Sequence, residues 1–326
     1  MSAISLPKLP AFASTPIAVE VFTGLTGEPK TLSPWLFYDE AGSRLFEEIT
    51  ELPEYYVTRT ERRILAEHAD EIISAAAGGR DLSMIELGAG TATKTGLLLN
   101  AAVRLQGGVT YYPIDVSQTA LDEARSRLEA ELPEVTVEPI VADYTEGMRQ
   151  NRTFRSGRRL VLYIGSSIGN FSPEDAVEVL RGVRSQLSPG DCLLLGTDMV
   201  KDAQTLHAAY DDAAGVTARF NMNVLTRINR ELEGNFDLRL FRHQARWNAR
   251  ESRVEMHLES LLPQKVAIRA LDLEMRFLPG ETIHTENSYK FTDESVLELL
   301  TRAGFRLRQQ WSDAGKWFTV YLAAAN

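Results

Sequence analysis

The stretch Met84-Ile85-Glu86-Leu87-Gly88-Ala89-Gly90 runs from a short apolar segment directly into a glycine-rich turn. Its first four residues read as a strand and the run that follows, to Leu105, as a helix, so the stretch opens a βαβ unit. Small residues at such a strand-to-helix turn let the backbone approach a ligand closely. Taken alone, the turn fits a ligand-free connection equally well. A dinucleotide fingerprint requires a third glycine three residues after Gly90, and Thr93 stands there, which counts against a phosphate-binding loop.

Working outward, the same rhythm continues. Thr110–Asp115 reads as a second strand, followed by a helix with Ala120, Leu121, Ala124 and Leu128 on one face. Val135–Val141 is the third strand, ending at Asp143, and Leu160–Ile164 the fourth, running into Gly165-Ser166-Ser167-Ile168-Gly169-Asn170. Ser172-Pro173-Glu174-Asp175 supplies a cap, a first-turn proline and two acids to the next helix. Cys192–Gly196 is the fifth strand, ending at Thr197-Asp198. Strands alternating with helices at this spacing imply a parallel, doubly wound α/β sheet that binds its ligand at the carboxyl ends of its strands. Asp115 is then placed to accept hydrogen bonds from two ribose hydroxyls, and Asp143 to meet an adenine amino group. S-adenosylmethionine carries no phosphate, so Gly-x-Gly with two strand-end acids suits it better than NAD.

The flanks read differently. Residues 1–18 are rich in Ser, Pro and Ala and read as a loose arm, and Val19 to Tyr56 is rich in aromatic residues. Thr58-Arg59-Thr60-Glu61 has capping-box spacing ahead of a helix with Leu65, Ala69, Ile72 and Ile73 on one face, stopped at Gly78-Gly79. Near Met199 the rhythm breaks. Two helical stretches cover about 202–232, and then the period becomes two: Val254, Met256 and Leu258 alternate with polar residues, as do Leu271, Leu273, Met275 and Phe277. This reads as an antiparallel insertion with one buried face. A helix Asp293–Ala303, capped by Thr292 and stopped at Gly304, precedes a hairpin of Phe305–Trp311 and Trp317–Ala323. Five parallel strands closed by such a hairpin is the layout of class I (Rossmann-like) methyltransferases, an analogy that fixes the fold and not the reaction.

Composition narrows the possibilities further. The 326 residues are 44% hydrophobic and 25% charged, with a net charge of −10 that repels phosphate backbones and anionic lipid, so neither nucleic acid nor membrane is an expected partner. A single cysteine, Cys192, excludes an intrachain disulfide and fits a reducing compartment. The N-terminus has no apolar run of signal-peptide length, and a cytoplasmic location is expected. His68, His207, His243 and His257 are scattered without metal-ligand spacing, so no metal is expected. No serine or cysteine nucleophile site is apparent.

Several further segments are more specific. Phe37-Tyr38-Asp39-Glu40-Ala41-Gly42-Ser43, Leu52-Pro53-Glu54-Tyr55-Tyr56, Glu86–Gly90, Gly165–Asn170, Tyr210-Asp211-Asp212-Ala213-Ala214-Gly215 and Thr285-Glu286-Asn287-Ser288-Tyr289-Lys290-Phe291 resemble the bacterial histidine Nα-methyltransferases of ergothioneine biosynthesis. The resemblance runs from about residue 19 to the C-terminus. It implies a SAM-binding domain (61–198 plus 289–326) and a smaller α+β substrate-binding domain (19–60 plus 199–288); a monomer is expected. The implied reaction is trimethylation of the L-histidine α-amino group to hercynine, the first step of ergothioneine biosynthesis. Fungal relatives methylate indole amines, so tryptophan or another aromatic amine is the alternative acceptor.

Carried over position by position, the resemblance implies S-adenosylmethionine contacts from Tyr38, Gly88, Lys94, Asp115, Asp143 and Tyr144. It implies substrate contacts from Tyr55, Gly165, Asn170, Tyr210, Met256, Glu286 and Ser288, with Tyr38 the candidate for touching the reacting amine. Ala89, Asn287 and Tyr289 depart from the residues that the mycobacterial enzymes carry beside these positions. By pattern alone, His284, Glu286 and Ser288 share one strand face that reads as solvated, Met256 reads as core, and Tyr38 and Tyr55 read as packing residues.

Overall fold

Every position of β1 (Leu82–Leu87) is buried, as a strand covered by helices on both faces must be. It lies in the interior of a sheet whose other strands are β2 (Val109–Asp115), β3 (Val135–Val137), β4 (Ile140–Val141), β5 (Arg158–Tyr163), β6 (Cys192–Asp198), β12 (Phe305–Ser312) and β13 (Phe318–Ala325). This computed structural model describes residues 15–142, 146–148 and 157–325. The strand order is β12-β13-β6-β5-β1-β2-β3, with β4 also paired to β2. β1 pairs in parallel with β2 and β5, β6 in parallel with β5, and β13 runs antiparallel to both β6 and β12. Five parallel positions and a terminal antiparallel hairpin are the class I methyltransferase sheet that the sequence pattern predicts. The strand expected over Val135–Val141 is divided. Glu138 N–H still donates to Tyr111 O at 2.9 Å, but Pro139 has no N–H to donate, and β4 then resumes against the end of β2.

The chain separates into two compact units, one comprising the described residues up to Tyr56 with Asp202–Ser288, the other Val57–Lys201 with Tyr289 onward. The sheet unit has a continuous apolar core in which Ile85, Leu87, Tyr112, Ile114, Val161, Leu193, Leu300 and Tyr321 are almost fully buried. Helix α3 (Tyr56–Ala77) begins two residues before Thr58, so the expected capping box lies inside the helix instead of ahead of it. The turn from Leu52 to Tyr55 starts the helix, and Thr60 and Glu61 sit in its buried face. Helices α4 (Thr95–Gln106) and α5 (Gln118–Glu131) follow β1 and β2. The helix Pro173–Ser185 carries the cap expected of it, with Ser172 Oγ accepting from Asp175 N–H at 3.2 Å. The helix Asp293–Arg302 opens on a full capping box of Thr292 and Ser295. At the end of β6, wholly buried Asp198 pairs with Lys290 at 2.8 Å and Lys201 at 2.5 Å.

In the other unit, α1 (Pro16–Thr26) starts inside the stretch expected to be an arm, capped by Thr15, whose hydroxyl accepts from Ala18 N–H at 3.3 Å. Helix α2 (Glu40–Thr50) is capped by Asp39. β7 (Phe241–Asn248), β8 (Arg253–Ser260) and β11 (Thr282–Tyr289) form a three-stranded sheet in the order β11-β8-β7, and β9 (Gln264–Ile268) pairs antiparallel with β10 (Leu273–Phe277). Val254, Met256 and Leu258 are buried along β8 as their alternation predicts, but His257 between them is buried as well, at 8% exposure, so this part of the strand is covered on both faces and not on one.

Candidate active site

In the sheet unit, the turn after β1 is built on left-handed backbone at Gly88 (φ 68°) and Gly90 (φ 52°), a region that glycine enters without strain. Gly88 N–H and Ala89 N–H both donate to Ile114 O, at 2.9 and 3.1 Å, drawing the turn across the end of β2. Gly90 N–H donates to Asp115 Oδ2 at 2.9 Å, and Ser117 N–H donates to Asp115 Oδ1 at 2.9 Å. Two backbone donors therefore fix the plane of the Asp115 carboxylate, and each oxygen keeps a further lone pair with which to accept. Gly88 and Asp115 are brought together as expected. Asp143 and Tyr144 lie outside the described residues.

Beneath this turn the structure places a carboxyl group to which the sequence reading assigned no role. Glu86 is 3% exposed; its Oε2 accepts from Thr95 Oγ1 at 2.6 Å and from the Tyr111 hydroxyl. Burial pushes its pKa up to about 7, against the opposing pull of those two hydrogen bonds. The Tyr111 hydroxyl is itself pushed up by burial and by Glu86 beside it.

Lys94, at the start of α4, pairs with Glu61 of α3. The same Glu61 carboxylate accepts from Gly165 N–H, at 2.8 Å to Oε1 and 3.0 Å to Oε2. Gly165 (φ 78°) and Ser166 (φ 59°) turn the chain out of β5 through left-handed backbone. The Ser166 hydroxyl accepts from Asp198 N–H at 2.9 Å, and a 3-10 turn over Ser167–Asn170 ends in Asn170. Lys94, Gly165 and Asn170 thus belong to one side of the sheet unit. Glu61, which joins Lys94 to Gly165, escaped the sequence reading because its spacing from Thr58 suggested a helix cap.

The other unit gathers the remaining candidates. The Tyr38 ring meets Phe46 and Phe220 edge-on, each at 5.8 Å between centroids. Phe46 in turn meets Tyr55 at 6.4 Å, and Tyr55 meets Tyr210 at 6.2 Å. Tyr210 and Ser288 share a hydrogen bond between their hydroxyls at 2.7 Å. An unbroken series of contacts therefore runs from Tyr38 to Ser288. Ser288 is 6% exposed, so a fully solvated face does not describe this strand; Glu286 is half-buried. His284 lies against the ring of His257 at 4.9 Å, and burial lowers the pKa of both imidazoles, that of His257 to about 4. Met256 is 2% exposed, and its carbonyl lies 3.0 Å from Thr285 Oγ1, a second and longer acceptor for the one hydroxyl proton that Asn221 Oδ1 accepts at 2.7 Å.

Behind Tyr210, His243 and Asn221 form a polar layer that the sequence does not signal. Asn221 Nδ2 lies 2.8 Å from His243 Nδ1, and His243 Nε2 lies 2.8 Å from Tyr210 O. With the amide donating to Nδ1, the ring proton sits on Nε2 and is donated to the carbonyl, so His243 is neutral here. Burial lowers its pKa accordingly. Among the described residues no group of three or more His, Cys, Asp or Glu side chains is placed to hold a metal ion.

A family described as histidine-specific methyltransferase, SAM-dependent, matches residues 17–325. The chain is 46% identical over 304 residues to a histidine N-alpha-methyltransferase of Mycolicibacterium smegmatis, covering 93% of each chain. It is 43% identical over 306 residues to the Mycobacterium tuberculosis histidine N-alpha-methyltransferase, covering 94% of each. Ergothioneine biosynthesis protein 1 of Schizosaccharomyces pombe is 30% identical over 295 residues, which are 88% of this chain and 38% of that one. A family match over almost the whole chain and two relatives above 40% identity at full length leave one assignment: the chain belongs to the histidine-specific, SAM-dependent methyltransferase family.

Proposed function

We infer that the protein transfers methyl groups from S-adenosylmethionine to the α-amino nitrogen of L-histidine, three times in succession, yielding hercynine for ergothioneine biosynthesis. The observation that carries this reading is the 46% identity, over 93% of both chains, with a histidine N-alpha-methyltransferase. The donor supplies an electrophilic sulfonium methyl, and the chain's own residues do the rest. The turn at Gly88 and Gly90 exposes backbone without a phosphate-binding third glycine, and the fixed Asp115 carboxylate has acceptor capacity for a pair of vicinal hydroxyls. These features fit an adenosyl group. Lys94 offers a cation for the donor's carboxylate.

For the acceptor, Asn170 and Tyr210 are the proposed partners of the histidine carboxylate, with Gly165 leaving room beside it. Glu286 would accept the imidazole N–H, with the Ser288 hydroxyl held beside it by Tyr210. Tyr55 and Met256 supply apolar wall. Tyr38 orients the amine, and its ring suits the fixed cation that forms with the last methyl. With no strong base assigned to the amine, its proton leaves to solvent. Positioning of the lone pair in line with the methyl, at about 3–3.5 Å, is then the main catalytic contribution.

A net charge of −10 and the single buried cysteine support a cytoplasmic enzyme without nucleic-acid partners. No helix among the described residues is long and apolar enough to cross a membrane. Calorimetric titration with L-histidine, with and without S-adenosylhomocysteine, tests the acceptor assignment. Saturable binding of histidine is expected; heat from tryptophan but none from histidine would transfer the assignment to an indole amine.

A further inference from the structure

Glu61 has no exposed surface, although a buried carboxylate is costly unless each oxygen is paired. Its partners come from two different strand ends: the Lys94 ammonium from the helix after β1, and the Gly165 N–H from the turn after β5. The space it fills is reserved on its far side. A Cβ built on Gly196 in β6 would lie 2.2 Å from Glu61 Oε1 and 3.1 Å from the Phe318 ring, so the sheet itself leaves a slot for the carboxylate. On the near side a Cβ at Gly165 would lie 3.5 Å from Lys94 Nζ, so the ammonium rests over the turn. The Lys94 side chain keeps 19% exposure while Glu61 keeps none. An ammonium has three donors, and the pair with Glu61 uses one.

We propose that Glu61 is a positioning residue that holds both reactant sites of the sheet unit with one carboxylate, aiming Lys94 at the donor's carboxylate and fixing the Gly165 turn beside the acceptor. This rests on the roles proposed above for Lys94 and Gly165. Both oxygens face donors: Oε2 meets Lys94 and Gly165, and Oε1 meets Gly165. A glutamine at 61 places its NH2 either against Gly165 N–H, 2.8 Å from Oε1, or against the Lys94 ammonium and Gly165 N–H at Oε2, so a donor faces a donor in both orientations. One of the two partners must move.

Calorimetric titration of S-adenosylhomocysteine into the wild type, Glu61→Gln, Lys94→Met and the double variant tests the proposal, followed by L-histidine titrated into each S-adenosylhomocysteine complex. Glu61→Gln is expected to weaken S-adenosylhomocysteine at least tenfold and to weaken histidine as well. The double variant should bind S-adenosylhomocysteine no worse than Lys94→Met alone, because residues acting as a unit are not additive. If Glu61→Gln does not fold, Glu61→Asp takes its place: it keeps the charge but is too short to span both partners, and the same losses are expected. Wild-type affinity for both ligands in a variant whose Tm has fallen would reduce Glu61 to a stabilising contact and overturn the proposal. Wild-type affinity in Lys94→Met would instead remove Lys94 from the donor's partners, and with it the reading on which the proposal stands.

Discussion

Asp115, proposed above to meet the adenosyl group, is held by the backbone on both of its oxygens. Backbone N–H groups at Gly90 and Ser117 hold its two oxygens at 2.9 Å each, so little reorganisation remains to be done on binding. Asp115→Ala is therefore expected to weaken S-adenosylmethionine binding by about 1.5–3 kcal/mol, the range for hydrogen bonds to a charged group, and calorimetry reads it directly. Glu286 is the residue proposed to do the same for the acceptor. Replacing it with Ala should cost about 2–5 kcal/mol in histidine recognition if its carboxylate is desolvated against the imidazole, with a smaller loss for tryptophan. Competition assays with the two amino acids check this, and an unchanged preference would return Glu286 to the solvated face of its strand. Glu86 leads to a prediction about pH. Its folded pKa, about 7, stands above the ordinary carboxyl value of 4.5, so the folded state retains the proton that the unfolded chain releases. The stability this group contributes is fully present below pH 4.5 and is lost as pH rises toward 7. Glu86→Gln can still accept from Thr95 and Tyr111 but does not titrate. The stability of the wild type relative to Glu86→Gln should therefore fall between pH 4.5 and 7.5 in urea unfolding, and a pH-independent difference would show that Glu86 is ionised in the folded protein.

At the scale of elements, the sheet β11-β8-β7 is tied to the helix Val216–Glu231 by one buried amide. Asn221 has no exposed surface; it donates to His257 O at 3.1 Å, lies 2.8 Å from His243 Nδ1, and accepts from Thr285 Oγ1 at 2.7 Å. Asn221→Ala should cost about 1–3 kcal/mol for each buried partner left unpaired, measured by chemical denaturation. It should also raise the KM for histidine, since His243 then loses the contact that orients it toward Tyr210. Elements of this kind differ in how far the sequence reveals them. The βαβ rhythm, the caps at Ser172 and Thr292 and the closing hairpin were all legible, because local residue types determine them. The start of α3 was not, because the turn from Leu52 to Tyr55 leads into the helix and the capping spacing at Thr58 falls inside it. Glu61, Glu86, Asn221 and His243 were equally hidden. Each acts through partners distant in sequence, Glu61 meeting Gly165 across 104 positions, and no local pattern marks such a pairing. Tyr38, Tyr55, Tyr210 and Ser288 entered through family resemblance alone, and only the folded chain shows them in series.

For the molecule as a whole, the proposed loss of the amine proton to solvent governs how the rate depends on pH. Only the neutral amine has a lone pair to attack with, and free histidine near neutral pH is mostly ammonium. The single-turnover rate of the first methyl transfer should therefore rise with pH until the bound amine has lost its proton. Each methylated product keeps the carboxylate and imidazole that Asn170, Tyr210 and Glu286 are proposed to hold, so it can bind again until no lone pair remains. Mass spectrometry of L-histidine incubated with the protein and excess S-adenosylmethionine is the most direct measurement of this chemistry. The expected result is conversion to trimethylhistidine, with the mono- and dimethyl species appearing only in passing. Stable accumulation of monomethylhistidine, or histidine left unmodified while tryptophan is methylated, would contradict it.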